Sequence, residues 1–116
     1  MEKGMFREIA ERLGWNATID DEGKFCEISR FSPEGQDVYF AIDVSDEDNI
    51  WDNVKDLYEG YDPSEETYLW LGPDGHGKNG APYDMKDLLE DMKWVEKELE
   101  KLYNATTKEN SNEGLF

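Results

Sequence analysis

The chain is poor in positive charge. Its 116 residues include 12 Lys and Arg against 29 Asp and Glu, a formal net charge of −17. Such a surface repels phosphate groups, which disfavours nucleic acid and anionic membrane as direct partners and favours a basic protein. Cysteine is almost missing: Cys26 stands alone, so no intramolecular disulfide can form. Its apolar surroundings predict a buried thiol rather than a nucleophile. His76 is the single histidine. One imidazole among scattered acids supplies neither a metal-ligand spacing nor a base set beside a nucleophile, so the expectation is a non-enzymatic protein with no catalytic residues, metal or cofactor. No long apolar run is present. The opening MEKGMFREIAERLGW carries acids, so neither a signal peptide nor a membrane span is expected, and the expected compartment is the cytoplasm.

What is present is enough for a core. Hydrophobic residues make up 37% and aromatics 13%, and each ring buries a large area. The length fits one domain. The longest periodic stretch is Asp84 to Tyr103, where Met85, Leu88, Met92, Val95, Leu99 and Leu102 recur at three- and four-residue steps. That spacing predicts one helix with a continuous apolar seam, about 30 Å long, starting after an Asp84 cap. The tail NATTKENSNEGLF is polar, so residues 1–103 are expected to form the domain and 104–116 a flexible extension.

Upstream, Met5, Phe6, Ile9, Ala10 and Leu13 predict a short amphipathic helix stopped by Gly14. Trp15, Ala17 and Ile19 alternate with polar residues, then a turn at Asp20 to Gly23 leads to a strand over 24–31. Ser32-Pro33-Glu34-Gly35 is a second turn. Val38, Phe40, Ile42 and Val44 alternate in the clearest strand, completing an antiparallel meander. Ser45 is the expected N-cap of a helix over 46–59. Asp62, Pro63 and Glu65 then mark a further helix start, expected to carry Tyr68, Leu69, Trp70 and Leu71 into the core. The fold class is α+β in the order α-β-β-β-α-α-α, with a three-stranded antiparallel sheet and helices on one face. Helix, three strands, helix is also the order of a double-stranded-RNA-binding domain, but the basic residues such modules need are acidic or neutral here.

Several motifs fall short. Gly72 to Asn79 nearly fits a phosphate loop, but Asn79 replaces the magnesium-binding hydroxyl and the helix begins late, after Pro82. Four glycines and two prolines between Gly72 and Pro82 predict a mobile connection unless something ties it down. The acids near Asp43 miss the spacing of a calcium loop. On the last helix, Lys93, Lys97 and Lys101 form one stripe and Asp87, Asp91 and Glu98 another, which predicts solvent exposure. Trp94 lies off the apolar seam. It is expected either to be covered by the Gly-rich loop or the N-terminal segment, or to be an exposed contact anchor.

The acid distribution is the most informative feature. Between Asp43 and Glu66 there are ten acids and one base, Lys55, a net of −9. Asp48, Asp52, Asp56 and Glu59 fall at helical steps about 5–6 Å apart on one stripe. A row of carboxylates at that spacing can occupy the basic groove of a nucleic-acid-binding protein. Asp46, Glu47, Asp48, Asp52, Asp56, Glu59 and Trp94 are therefore the candidate partner-binding residues. An ordinary solvated helix face is the competing reading.

The segments FSPEGQDVYFAIDV, YEGYDPSEETYLWL and GKNGAPYDMKDLLEDMKWVEKELEKLY resemble small acidic, uncharacterised proteins carried by phages and conjugative elements of gut Firmicutes. The resemblance spans about Gly14 to Tyr103 and implies an accessory gene of mobile DNA. Such genes often encode inhibitors of host defence, of the antirestriction or anti-CRISPR type. The expected function is thus an acidic binding protein that imitates nucleic acid. The alternative is a protein–protein adaptor working through Trp94, Tyr61 and the Gly-rich loop.

Overall fold

The computed structural model describes residues 1–114, with side chains through Lys108. Helix α1 runs Lys3–Arg12 and ends where Gly14 turns the chain at φ +97°, a conformation that costs a Cβ-bearing residue 1–2 kcal/mol or so, about the penalty of the left-handed region. Strands β1 (Asn16–Ile19), β2 (Phe25–Phe31) and β3 (Asp37–Asp43) form the expected antiparallel sheet in the order β1-β2-β3. Cys26 pairs with Ile19 and Ile42, and Ile28 pairs with Ala17 and Phe40, so one apolar set shares the inner face. Phe6, Ile9 and Ala10 of α1 close over that face with Ile50 and Val54 of α2 (Ile50–Gly60). The α+β architecture and its element order are those expected from the sequence.

Helix α4 (Met85–Gly114) is the strut of the molecule. Its seam serves two covers. Val95, Leu99 and Leu102 enter the main core with α1, α2 and the sheet, whereas Leu88 and Met92 are buried outside that cluster, where α4 packs on α3 (Pro63–Leu69). Met85, the first seam position, is exposed. The helix also outruns its expected end at Tyr103. Ala105 packs on the core and Thr106 is 0% exposed, its hydroxyl donating to the Leu102 carbonyl. That back-bond satisfies the hydroxyl within the helix, so a polar-looking sequence continues a buried face. The last two residues of the expected flexible segment, Leu115 and Phe116, lie outside the described residues.

Two further expectations are corrected. Ser45 does not cap the second helix; its N–H and hydroxyl both donate to Asp43 Oδ1, at 2.9 and 2.6 Å. The chain first makes a 3-10 turn, Glu47–Asn49, capped by Asp46, whose Oδ1 accepts from the Asp48 N–H. Asp62 does cap α3 with Pro63 at its start, but α3 buries Thr67 rather than its aromatic end. Tyr68 is 71% and Leu69 65% exposed, and Trp70 is at the surface. Seven residues give two turns with one buried side, and Thr67 is the residue on it.

The Gly-rich connection is tied down. Leu71 bridges Gly77; Gly72 N–H donates to the His76 carbonyl, Lys78 N–H to Trp70 and Gly77 N–H to Tyr83. Gly77 has no alternative residue, since a Cβ there would collide with the Pro82 carbonyl.

Candidate acidic face and sheet edge

The six acidic candidates separate into two groups. Asp46 and Glu47 have structural tasks. Asp46 caps the 3-10 turn and accepts from Asn49 Nδ2 at 3.0 Å. Glu47 Oε2 accepts from the Lys3 N–H at 2.6 Å, supplying an acceptor for one of the free amides that open α1. Asp52, Asp56 and Glu59 are exposed on α2 and make no hydrogen bond or ion pair among the described residues. Asp48 stands just ahead of them in the 3-10 turn, its carboxylate equally exposed. The one base of the segment is withdrawn: Lys55 Nζ lies over the Trp51 ring, 5.4 Å from its centre.

Trp94 is half-buried and partly packed on the core. The side chain over its ring is Arg30. Arg30, from β2, sits between two indoles, 4.9 Å from the Trp94 ring and 5.4 Å from that of Trp15. Its guanidinium also donates to the Leu13 carbonyl at 3.0 Å and to Glu98 Oε2 at 3.1 Å. A cation held between two ring faces is attracted by both.

The stripe expected to face solvent on α4 is partly internal. Asp91 is 3% and Glu98 6% exposed, whereas Lys93, Lys97 and Lys101 do face water. Asp91 Oδ2 accepts from the Ser32 hydroxyl at 2.6 Å and from Gln36 Nε2, and its Oδ1 from the Glu34 N–H at 3.3 Å. One carboxylate thereby holds the β2–β3 turn to the strut. The sequence offered no signal for this beyond Ser32 in the turn, because the contact joins residues 59 apart.

The other chemical candidates lead elsewhere. Cys26 is buried, and burial pushes its thiol from 9.0 up to about 11, the opposite of an activated thiolate. His76 stacks on Tyr83, with ring centres 3.9 Å apart. No group of three or more His, Cys, Asp or Glu is placed to hold a metal among the described residues, and no described helix is long and apolar enough to cross a membrane.

A second surface was not anticipated. Beside β3, its backbone together with Val38, Phe40, Tyr61, Glu66, Trp70 and Met92 encloses a cleft of 140 Å³. The Tyr61 hydroxyl is turned inward onto Met92 Sδ, and burial raises its pKa well above the usual tyrosine value. Glu66 is half-exposed at the cleft wall, its carboxylate without a hydrogen bond or ion pair among the described residues, and partial burial, then Glu65, raises its carboxyl pKa.

The fold and these surfaces define a small α+β domain with an acidic face. Comparison of the chain with protein-family models, with curated proteins and with solved structures returned no match.

Proposed function

We propose that the protein is a non-enzymatic binding protein that presents the α2 carboxylates to a basic surface of a nucleic-acid-binding protein, as an inhibitor of a host defence system would. The observation that carries this reading is the row Asp52, Asp56 and Glu59, whose carboxylates are exposed and without partners among the described residues, in a segment of net −9 whose one base lies on Trp51. Carboxylates with no structural task are free to meet Lys and Arg, and a single-sign field of this kind speeds encounter with an opposite one. Asp48 extends the row; Asp46 and Glu47 contribute charge while holding the turn.

The test is charge reversal. A variant with Asp48→Lys, Asp52→Lys and Asp56→Lys should keep its circular-dichroism spectrum and lose capture of a basic nuclease or DNA-binding protein, with duplex DNA competing for the same partner. Wild-type binding should weaken steeply between low and high salt, since exposed charges are screened over about 8 Å at physiological ionic strength. Capture that survives reversal would remove the reading. The adaptor reading moves to other residues: Tyr61 is committed to Met92 and Trp94 to Arg30, but Tyr68, Leu69 and Tyr83 are exposed. It requires binding that salt leaves unchanged.

A further inference from the structure

The sheet ends at β3. Val44 N–H donates to Lys24 and Ser32 N–H to Gln36, and these two bonds set the phase of the β2–β3 ladder. In an antiparallel pair, alternate residues turn both backbone groups toward the partner strand. The even-numbered residues of β3 therefore face β2, and Asp37, Tyr39, Ala41 and Asp43 turn their N–H and C=O outward. Asp43 is served by α2, its carbonyl accepting from Asn53 Nδ2 at 2.9 Å. Those of Asp37, Tyr39 and Ala41 have no partner among the described residues. This is an open template for one more strand.

The cleft lies along the same edge, and its polarity selects the strand. Its walls are apolar except for Asp37, Gln36 and Glu66, and no Lys or Arg lines it. At 140 Å³ it admits one long side chain, not a ligand that needs several hundred Å³. A second copy is a poor occupant, because it brings another −17 to an edge that carries no basic residue.

We propose that β3 captures an extended segment of a basic partner protein as a fourth strand, with one Arg or Lys side chain entering the cleft beside Glu66. The stem of that side chain lies on Phe40 and Met92, and its charged head meets the unpaired carboxylate. Residues one and three positions from the anchor point to the open face, the outer pair toward Asp37 and Asp43, so polar side chains suit the nearer positions and basic ones the farther. Main-chain hydrogen bonds supply affinity and the alternating pockets supply selectivity. The site is separate from the α2 row, and either surface can fail alone.

The probe is acetyl-Lys-Val-Thr-Arg-Thr-Val-Lys-amide titrated into the 15N-labelled full chain. Shifts and slowed hydrogen exchange are expected at the amides of Asp37, Tyr39 and Ala41. N-methylation of the two threonines removes the donors that face β3 and should weaken binding about tenfold or more, as expected for lost edge bonds. Because that change leaves the protein untouched, folding cannot confuse the result. Norleucine for the Arg, and Glu66→Gln, should each weaken binding about three- to tenfold, and together no more than either alone. Asp52→Asn with Asp56→Asn should change it less than about twofold, since neither residue lines the cleft and exposed charges are screened. Equal binding of the N-methylated peptide would overturn the proposal, as would shifts confined to α2. A dimer of the free protein with protected Tyr39 and Ala41 amides would overturn it too, by giving the edge to a second copy.

Discussion

Two sets of carboxylates lie on two helices at similar spacing, with opposite fates. On α4, Asp91 and Glu98 turn inward; one pins a turn and the other braces Arg30 between two indoles. On α2, Asp52, Asp56 and Glu59 point into water and hold nothing. Helix periodicity alone cannot separate them. What separates them is whether donors from a distant part of the chain arrive within reach: Ser32, Gln36 and the Glu34 amide for Asp91, Arg30 for Glu98. A buried carboxylate survives only when such donors replace the water it has lost. An acid that no part of the fold claims is the one left for a partner.

Removal of Asp91 should break the comparison most visibly. Asp91→Ala strands the Ser32 hydroxyl, the Gln36 amide and the Glu34 N–H together, and should cost about 3 kcal/mol in urea denaturation. Asp91→Asn should cost less, about 1 kcal/mol, because an amide oxygen can still serve Ser32 and Gln36 while its NH₂ opposes the Glu34 donor. A loss under about 0.5 kcal/mol for the alanine variant would place Asp91 with the α2 acids. Glu98→Ala comes next, at about 1–2 kcal/mol. Its effect is smaller because the Arg30 side chain keeps 22% exposure, the Leu13 carbonyl and both rings, so the freed guanidinium is not abandoned to a dry interior.

The same contrast marks what the sequence could and could not reveal. Period and turn chemistry are local, and they found the strands, Gly14, the Asp62 cap and the α4 seam. Tertiary contacts are not local. The sequence therefore put Asp91 and Glu98 in solvent, Tyr68 and Leu69 in the core, and an end to α4 at Tyr103. Ser45 failed for a subtler reason: it is a good cap by type, but Asp43 takes its donors and Asp46 performs the capping. The α2 row was legible because it is a surplus of one charge on one helix. The β3 edge was not, since only the ladder's phase shows which amides are left over.

Glu66 falls between the two groups, half-withdrawn from water with no donor. Burial raises its carboxyl above the ordinary 4.5, so the ionised form is the one the fold disfavours. The penalty is absent below about pH 4.5, where the group is protonated folded or unfolded. It grows as pH rises from that value to the raised folded pKa and is constant above it. Glu66→Gln should therefore stabilise the protein near pH 7 by a few tenths of a kcal/mol, discounted for solvent screening, with the gain fading toward pH 4. Paired chemical-denaturation curves at the two pH values measure it. A destabilised variant would mean that Glu66 already has an intramolecular partner in solution.

The smallest effects belong to the α2 row, and their sign matters more than their size. Asp52 sits in the first turn of α2, where the helix dipole favours a negative charge and offsets its repulsion by Asp56. Asp52→Asn should be close to neutral. Asp56 and Glu59 have no such offset. They repel one another at a three-residue step, and Glu59 lies in the last turn, where the dipole opposes it. Asp56→Asn with Glu59→Gln should therefore stabilise the isolated protein by about 0.3–0.8 kcal/mol at low ionic strength, and by much less in 1 M salt, where the Debye length is about 3 Å. Thermal melts in the two buffers distinguish the cases. A loss of 1 kcal/mol or more would give these carboxylates a task inside the fold, and the division between claimed and unclaimed acids would then fail at the residues on which the binding reading stands.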